Sequence, residues 1–240
     1  MVAANLAEFD EVYRLEHVSR FTPERTGREV DVLVNVLKLK PPERLLDLGC
    51  GWGRHLAELK RRGFEKLVGV DVQGAFLEPL EGVTMLEGNA ARLEFEAEFD
   101  AAYCAFSALL STPDAAPNVF SSVAKALRPG GRFLFDVTNR ERLVQVEASR
   151  SWRGGEGLPW TLEEARFDLL TGAQTVLQKR LFADGHSDEC TLTRFHYTLA
   201  ELARLLQTAG LTVTDVYGDW QLGPYTAESP RTLLIARKDP

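Results

Sequence analysis

The feature that most constrains this chain is a recurring unit: a short apolar run, a loop, then a segment with helical periodicity. It is clearest at "RLLDLGCGWGRHLAELKRRG" (44–63). A buried-strand pattern there runs into a loop carrying Gly49, Gly51 and Gly53, and the helical pattern that follows stops at Gly63. Further strand patterns lie at "KLVGVDV" (66–72), "VTML" (83–86), "FDAAYCAF" (99–106), "RFLFDVT" (132–138), "LTVTDVY" (211–217) and "RTLLIARK" (231–238). Helical patterns lie at 118–131 and 198–210. Strands alternating with amphipathic helices predict an α/β fold: a doubly wound, mostly parallel sheet covered on both faces. The segment from about 5 to 38 is helical in pattern. Thr22 is a plausible N-cap, Pro23 takes the first helical position, and Val30, Leu33, Val34 and Leu37 fall on one face.

From 140 to 197 the pattern alternates instead, with turn signals at Thr171-Gly172 and Asp184-Gly185. Two turns predict three antiparallel strands inserted after the fifth strand. We expect one domain over 1–240: a helical segment (1–38), a core (39–139), an inserted antiparallel β lid (140–197) and a return to the core (198–240).

Composition narrows the function classes. The 240 residues are 45% hydrophobic, enough for a sizeable core, and the net charge of −7 argues against a nucleic-acid partner. The first residues lack a signal-peptide pattern, and no apolar run approaches the roughly 20 residues of a membrane span. Cys50, Cys104 and Cys190 are an odd, scattered set without close Cys/His spacing. They suit neither a disulfide framework nor a zinc site, so the expectation is a cytoplasmic protein without metal.

The glycine loop narrows the ligand. A dinucleotide site wants G-x-G-x-x-G with pyrophosphate on the helix N-terminus. Here the spacing is G-x-G-x-G, and Asp47, two residues ahead of the first glycine, would repel a phosphate. No G-K-[ST] follows, which excludes a Walker loop. S-adenosylmethionine (SAM) fits better: it has no phosphate, its ammonium favours nearby carboxylates, and its own carboxylate suits a helix N-terminus. Asp71 closes the second strand, where an acid binds ribose hydroxyls in doubly wound folds.

These residues carry a resemblance. "LLDLGCGWGR" resembles the E/D-x-G-x-G-x-G motif of class I SAM-dependent methyltransferases. "VGVDV", "LEGNAARLEF", "FDAAYCAFSAL" and "ALRPGGRFLFDV" resemble the motifs that follow it, in order. Trp52 and Asn89 depart from the usual residues. The resemblance implies a seven-stranded sheet with its last strand antiparallel, and a lid after the fifth strand as in small-molecule members. It implies SAM as cofactor, with S-adenosylhomocysteine as product. It places that cofactor on Asp47, Gly49, Cys50, Gly51, Gly53 and Arg54, on Asp71 and Val72, on Asn89 and Ala90, and on Cys104 and Ala105.

The expected activity is in-line methyl transfer to a small-molecule acceptor. A tRNA or protein methyltransferase and a SAM-binding regulatory module without turnover stay open, whereas the glycine spacing disfavours a nicotinamide oxidoreductase. No residue is singled out as a catalytic base. Alternation places Arg194 and His196 on one face of the insertion, and with Tyr225 they are the candidates. Tyr13, Asn139, Trp220 and Arg231 are candidates for the acceptor, Arg231 as an anchor for an acidic group. Arg20 and Phe21 are weaker candidates for closing over the cofactor. Asp136 and Asn139 are considered as a metal pair, but a third acid at the end of the fourth strand is missing.

Overall fold

The computed structural model describes residues 11–18, 20–106, 112, 114–145, 148–155 and 157–239. Residues 5–10 of the expected N-terminal helical pattern and 107–109 of the fourth motif lie outside the described residues.

The main sheet holds β1 (Arg44–Leu48), β2 (Lys66–Asp71), β3 (Val83–Glu87), β4 (Phe99–Cys104), β5 (Leu127–Thr138), β10 (Leu211–Tyr217) and β11 (Arg231–Lys238). Its strand order is β10-β11-β5-β4-β1-β2-β3. The pairs among β1 to β5 are parallel, and β11 runs antiparallel to both β5 and β10. The order reverses between β1 and β4, so their C-terminal ends flank a crevice where doubly wound sheets bind ligands.

Helices cover both faces. On one, α2 (Pro23–Val36) and α3 (Arg54–Arg61) bury Val30, Leu33, Leu56 and Leu59 against Leu45 and Tyr103. Thr22 caps α2 as the sequence predicts, its Oγ1 accepting from the Arg25 amide at 3.3 Å. On the other face, α4 (Ala115–Ala126) and α6 (Leu199–Thr208) bury Phe120, Leu202 and Leu206 against Phe99, Phe133 and Phe135. The Phe120 and Phe135 rings meet edge to face, 4.9 Å between centroids. The helical pattern read over 118–131 ends earlier than expected. Helix α4 stops at Ala126, and the run through Pro129, which cannot continue a helix, already belongs to β5.

The segment between β5 and α6 forms a second sheet. After a short helix α5 (Arg140–Leu143) come β6 (Ala148–Gly155), β7 (Leu158–Phe167), β8 (Ala173–Leu181) and β9 (Ser187–Phe195), all antiparallel in that order. Four strands stand where three were expected. The missed turn follows Gly154-Gly155 and is re-entered at Gly157, whose φ is +78°; both predicted glycine turns are present. Thr161, Glu163, Gln174, Gln178 and Arg180 face inward beside buried Val176 and Leu192. The sheet's outer face exposes Trp152, Trp160, Leu162, Leu177 and Leu181. The N-terminal helix α1 (Glu11–Val18) packs against β7.

Candidate active site

Strand β1 delivers Asp47 to the crevice, and the loop to α3 turns through Gly49, Gly51 and Gly53, all at positive φ. Two of these glycines differ in what they permit. A Cβ on Gly53 would meet the ends of the Leu80 and Met85 side chains at 2.7 and 3.1 Å, and its φ of +80° is one that residues with a side chain rarely adopt. A Cβ on Gly51 would meet nothing within 4 Å and would point into open space. Gly53 is also the N-cap of α3 and has no side chain to cap it, which leaves first-turn amides available to an anion.

Asp47 is buried at 2% exposure, and its pKa is raised to about 7, chiefly by desolvation. Among the described residues, its Oδ2 and the neighbouring Tyr103 hydroxyl make no hydrogen bond of good geometry, though Tyr103 lies close enough to pull the Asp47 pKa down against its burial. Asp71 orders the loop: its carboxylate accepts from the Gly51 and Gln73 amides, each at 2.8 Å. Burial raises its pKa, against the pull of those amides. Val72 beside it is half-buried. Exposed Asn89 accepts from the Ala91 amide at 2.8 Å, and Ala90 and Cys104 are buried, with Ala105 half-buried. Burial pushes the Cys50 thiol far up, so it stays protonated.

Arg54 turns toward α2. It pairs with Glu29, donates to Thr26 Oγ1 at 3.1 Å and lies 4.1 Å from the Phe21 ring centroid. Glu29 also meets His55 Nε2 at 3.0 Å and Arg25 Nε at 2.8 Å. Burial opposes its charge, but His55 and Arg54 hold Glu29 down to about 2, while burial holds His55 neutral with a pKa of about 4. Phe21, Trp52, Phe76 and Tyr13 form a chain of ring contacts above the loop. Arg20 is exposed on this side.

Three sequence candidates, Trp220, Asn139 and Tyr225, are held in structural hydrogen bonds. Asp136, fully buried, accepts from the Phe106 amide (2.8 Å), Trp220 Nε1 (3.0 Å) and Arg231 Nε (2.8 Å). Trp220 thus stacks on Phe106, 5.0 Å between centroids. Asn139 caps α5 and donates to the carbonyls of Thr226 and Ser229. The Tyr225 hydroxyl lies 2.8 Å from Asn139 Oδ1 and 2.9 Å from Glu141 Oε2; burial and Glu141 raise its pKa to about 12, which leaves it no use as a base. Asp136 and Asn139 spend their oxygens on donors of this chain and do not form a metal pair.

A cavity of about 320 Å³ lies between the ends of the main strands, α1 and the second sheet. Tyr13, Arg20, Arg194, His196 and Arg231 are among its lining residues. The alternating residues Thr161, Glu163, Gln174, Gln178 and Arg180 also line it, and their polarity at every second position was a readable signal. Glu16 joins helix to sheet, accepting from Arg153 Nε at 3.0 Å and Thr161 Oγ1 at 3.1 Å. Tyr13 links this cavity to the cofactor side, because Asp71 acts on its hydroxyl.

Strand order, switch-point crevice and an acid-flanked glycine loop define the nucleotide-cofactor-binding methyltransferase fold. Residues 45–131 match the family model described as a methyltransferase domain. The chain is 30% identical over 210 residues to cypemycin N-terminal methyltransferase from a Streptomyces species, covering 81% of this chain and 82% of that protein. In fold it is similar to SAM-bound CalS10, an amino pentose methyltransferase from Micromonospora echinaspora (TM-score 0.71, 22% identity, 95% and 97% covered). It is also similar to the sugar N-methyltransferase KedS8 from Streptoalloteichus (TM-score 0.70, 18% identity, 94% and 93% covered). The chain belongs to the class I SAM-dependent methyltransferases, and SAM is its methyl donor.

Proposed function

We propose that this enzyme methylates a nitrogen of a small-molecule amine seated in the cavity under the second sheet. The observation that carries this reading is that His196, Tyr13 and Glu163, which line the cavity, are poor proton acceptors. Burial, then Arg194, Arg140 and Arg231, push His196 down to about 4, and its Nε2 meets Gln174 Oε1 at 3.1 Å. Burial and Asp71 keep Tyr13 protonated. Glu163 is held below the usual carboxylate range by Arg153 and Gln178, against the effect of its burial. Such groups do not deprotonate a hydroxyl, whereas a neutral amine attacks with its own lone pair. The names of the three relatives agree, specifying an N terminus, an amino pentose and a sugar nitrogen.

Bound SAM supplies an electrophilic methyl carbon on a sulfonium. Asp47, whose Oδ2 makes no hydrogen bond of good geometry among the described residues, suits the ammonium of that cofactor, and the open approach at Gly51 and the uncapped start of α3 suit its carboxylate end. Asp71 is assigned to the ribose, and Asn89 with Ala90 to the adenine. The second sheet acts as a lid that orients the acceptor and excludes water. A polypeptide α-amine is a second reading, favoured by the relative that acts on the N terminus of cypemycin. With a pKa of about 7.7–8.0 such an amine is partly neutral near pH 7.

The test is methyl transfer from ¹³C-methyl SAM to matched amines and alcohols, followed by NMR and mass spectrometry. N-methyl products are expected. Methoxy products would overturn the nitrogen assignment, and SAM binding without turnover on any metabolite or peptide pool would favour the regulatory module.

A further inference from the structure

We propose that the acceptor carries, away from its amine, an anionic group, a carboxylate or a phosphate, that seats in the cavity corner formed by Arg194, His196 and Arg231. The inference rests on reading this cavity as the acceptor site. Three observations meet in the corner. Among the described residues, the charges that lower the His196 pKa are the cations Arg194, Arg140 and Arg231. Arg231 is fixed by Asp136 at Nε and by Thr138 Oγ1 at Nη1 (3.2 Å), yet its Nη2 is buried with no hydrogen-bond partner among the described residues. An unsatisfied buried donor is costly, and an incoming anion removes that cost.

The third observation is where the acids lie. Glu16 and Glu163 are both engaged by Arg153, and Asp188 holds Arg180 through two bonds of 2.8 and 2.7 Å. Asp136 and Glu201 offset Arg231 and Arg140. Arg194 lines the same cavity, and burial lowers its pKa. In a chain of net charge −7 this corner is locally cationic. Guanidinium forks match the geometry of carboxylate and phosphate oxygens, which favours an anion over a merely polar group.

An anion in the corner reverses the field on His196, which supplies a readout separate from turnover. The full-length chain, saturated with S-adenosylhomocysteine, is titrated with sodium acetate and with inorganic phosphate, and the His196 ring is followed by NMR across pH. At least one probe is expected to bind and to move the His196 midpoint upward by about one pH unit or more. The probe that saturates at lower concentration identifies the carboxylate or the phosphate. Arg194→Gln and Arg231→Gln should each weaken that binding tenfold or more, Arg231→Lys less, with S-adenosylhomocysteine affinity unchanged within twofold.

If neither probe moves the His196 signal, or if folded Arg194→Gln and Arg231→Gln bind it as the parent does, the proposal is overturned. In turnover, an amine bearing the anion should beat its neutral analogue, and the glutamine variants should raise KM more than they lower kcat. Amines methylated with no preference for an anion would defeat this inference alone. An anionic alcohol methylated in place of the amine would defeat the nitrogen reading and leave the corner standing.

Discussion

Asp47 holds a proton near neutrality because its carboxyl is buried and half-satisfied, and this has a measurable sign. Its folded pKa of about 7 lies above the unfolded value of about 3.9, so the ligand-free folded chain binds the extra proton. The Asp47 contribution to stability is therefore present below about pH 4, falls as pH rises to about 7, and is flat above. Asp47→Asn should remove that slope and raise ligand-free stability at pH 8 by up to about 4 kcal/mol, read from denaturation at several pH values. The same variant should bind SAM at least tenfold more weakly. Asp71→Ala should also lose SAM affinity, by roughly 0.5–3 kcal/mol per ribose hydrogen bond, in isothermal titration; unchanged affinity would remove Asp71 from the site. These residues were legible because one strand–loop–helix unit and the next strand hold them together: Gly51 and Asp71 are 20 positions apart. The true places of Trp220, Tyr225 and Asn139 were not legible, since their partners lie 84 to 90 positions away.

Among the elements, the second sheet follows the usual burial rule only in part: Val176 and Leu192 are buried, while Trp160 and Leu162 are exposed. Alternation located its strands, but an apolar-in expectation would turn Trp160 and Leu162 toward the core. They face out because the inward positions beside them, Thr161 and Glu163, line the polar cavity. Helix α1 is tied to that sheet through Glu16, which is 5% exposed. Arg153→Ala leaves Glu16 and Glu163 without their cation and should cost about 3 kcal/mol, near the low end for a broken buried pair because Arg153 is 29% exposed. Urea unfolding measures it; a loss below about 0.5 kcal/mol would mean the pair is solvated. Replacing residues 140–197 with a short linker should keep SAM binding within tenfold, or about 1.4 kcal/mol, and abolish transfer to the native acceptor. Retained turnover would show that the acceptor is held elsewhere.

For the molecule as a whole, the cofactor reports on folding by mass action. S-adenosylhomocysteine at 100 times its Kd should stabilise the chain by about 2.7 kcal/mol, a Tm rise of about 5–10 °C at this size. A chelator should leave turnover unchanged, because Asp136 already accepts three donors from this chain. If EDTA abolishes activity and magnesium restores it, that reasoning fails. The place of β11 bears on how the chain comes off the ribosome. It is the last strand of the main sheet in sequence, yet it lies inside the sheet between β5 and β10. A nascent chain that has made everything up to Tyr217 still has an open edge on β5 and cannot join β10 to the rest. Arg231, the first residue of β11, is made with that missing strand. Any product of translation that stops short of it therefore lacks the sheet's closure and Arg231 together, and with Arg231 the anion seat proposed for the acceptor.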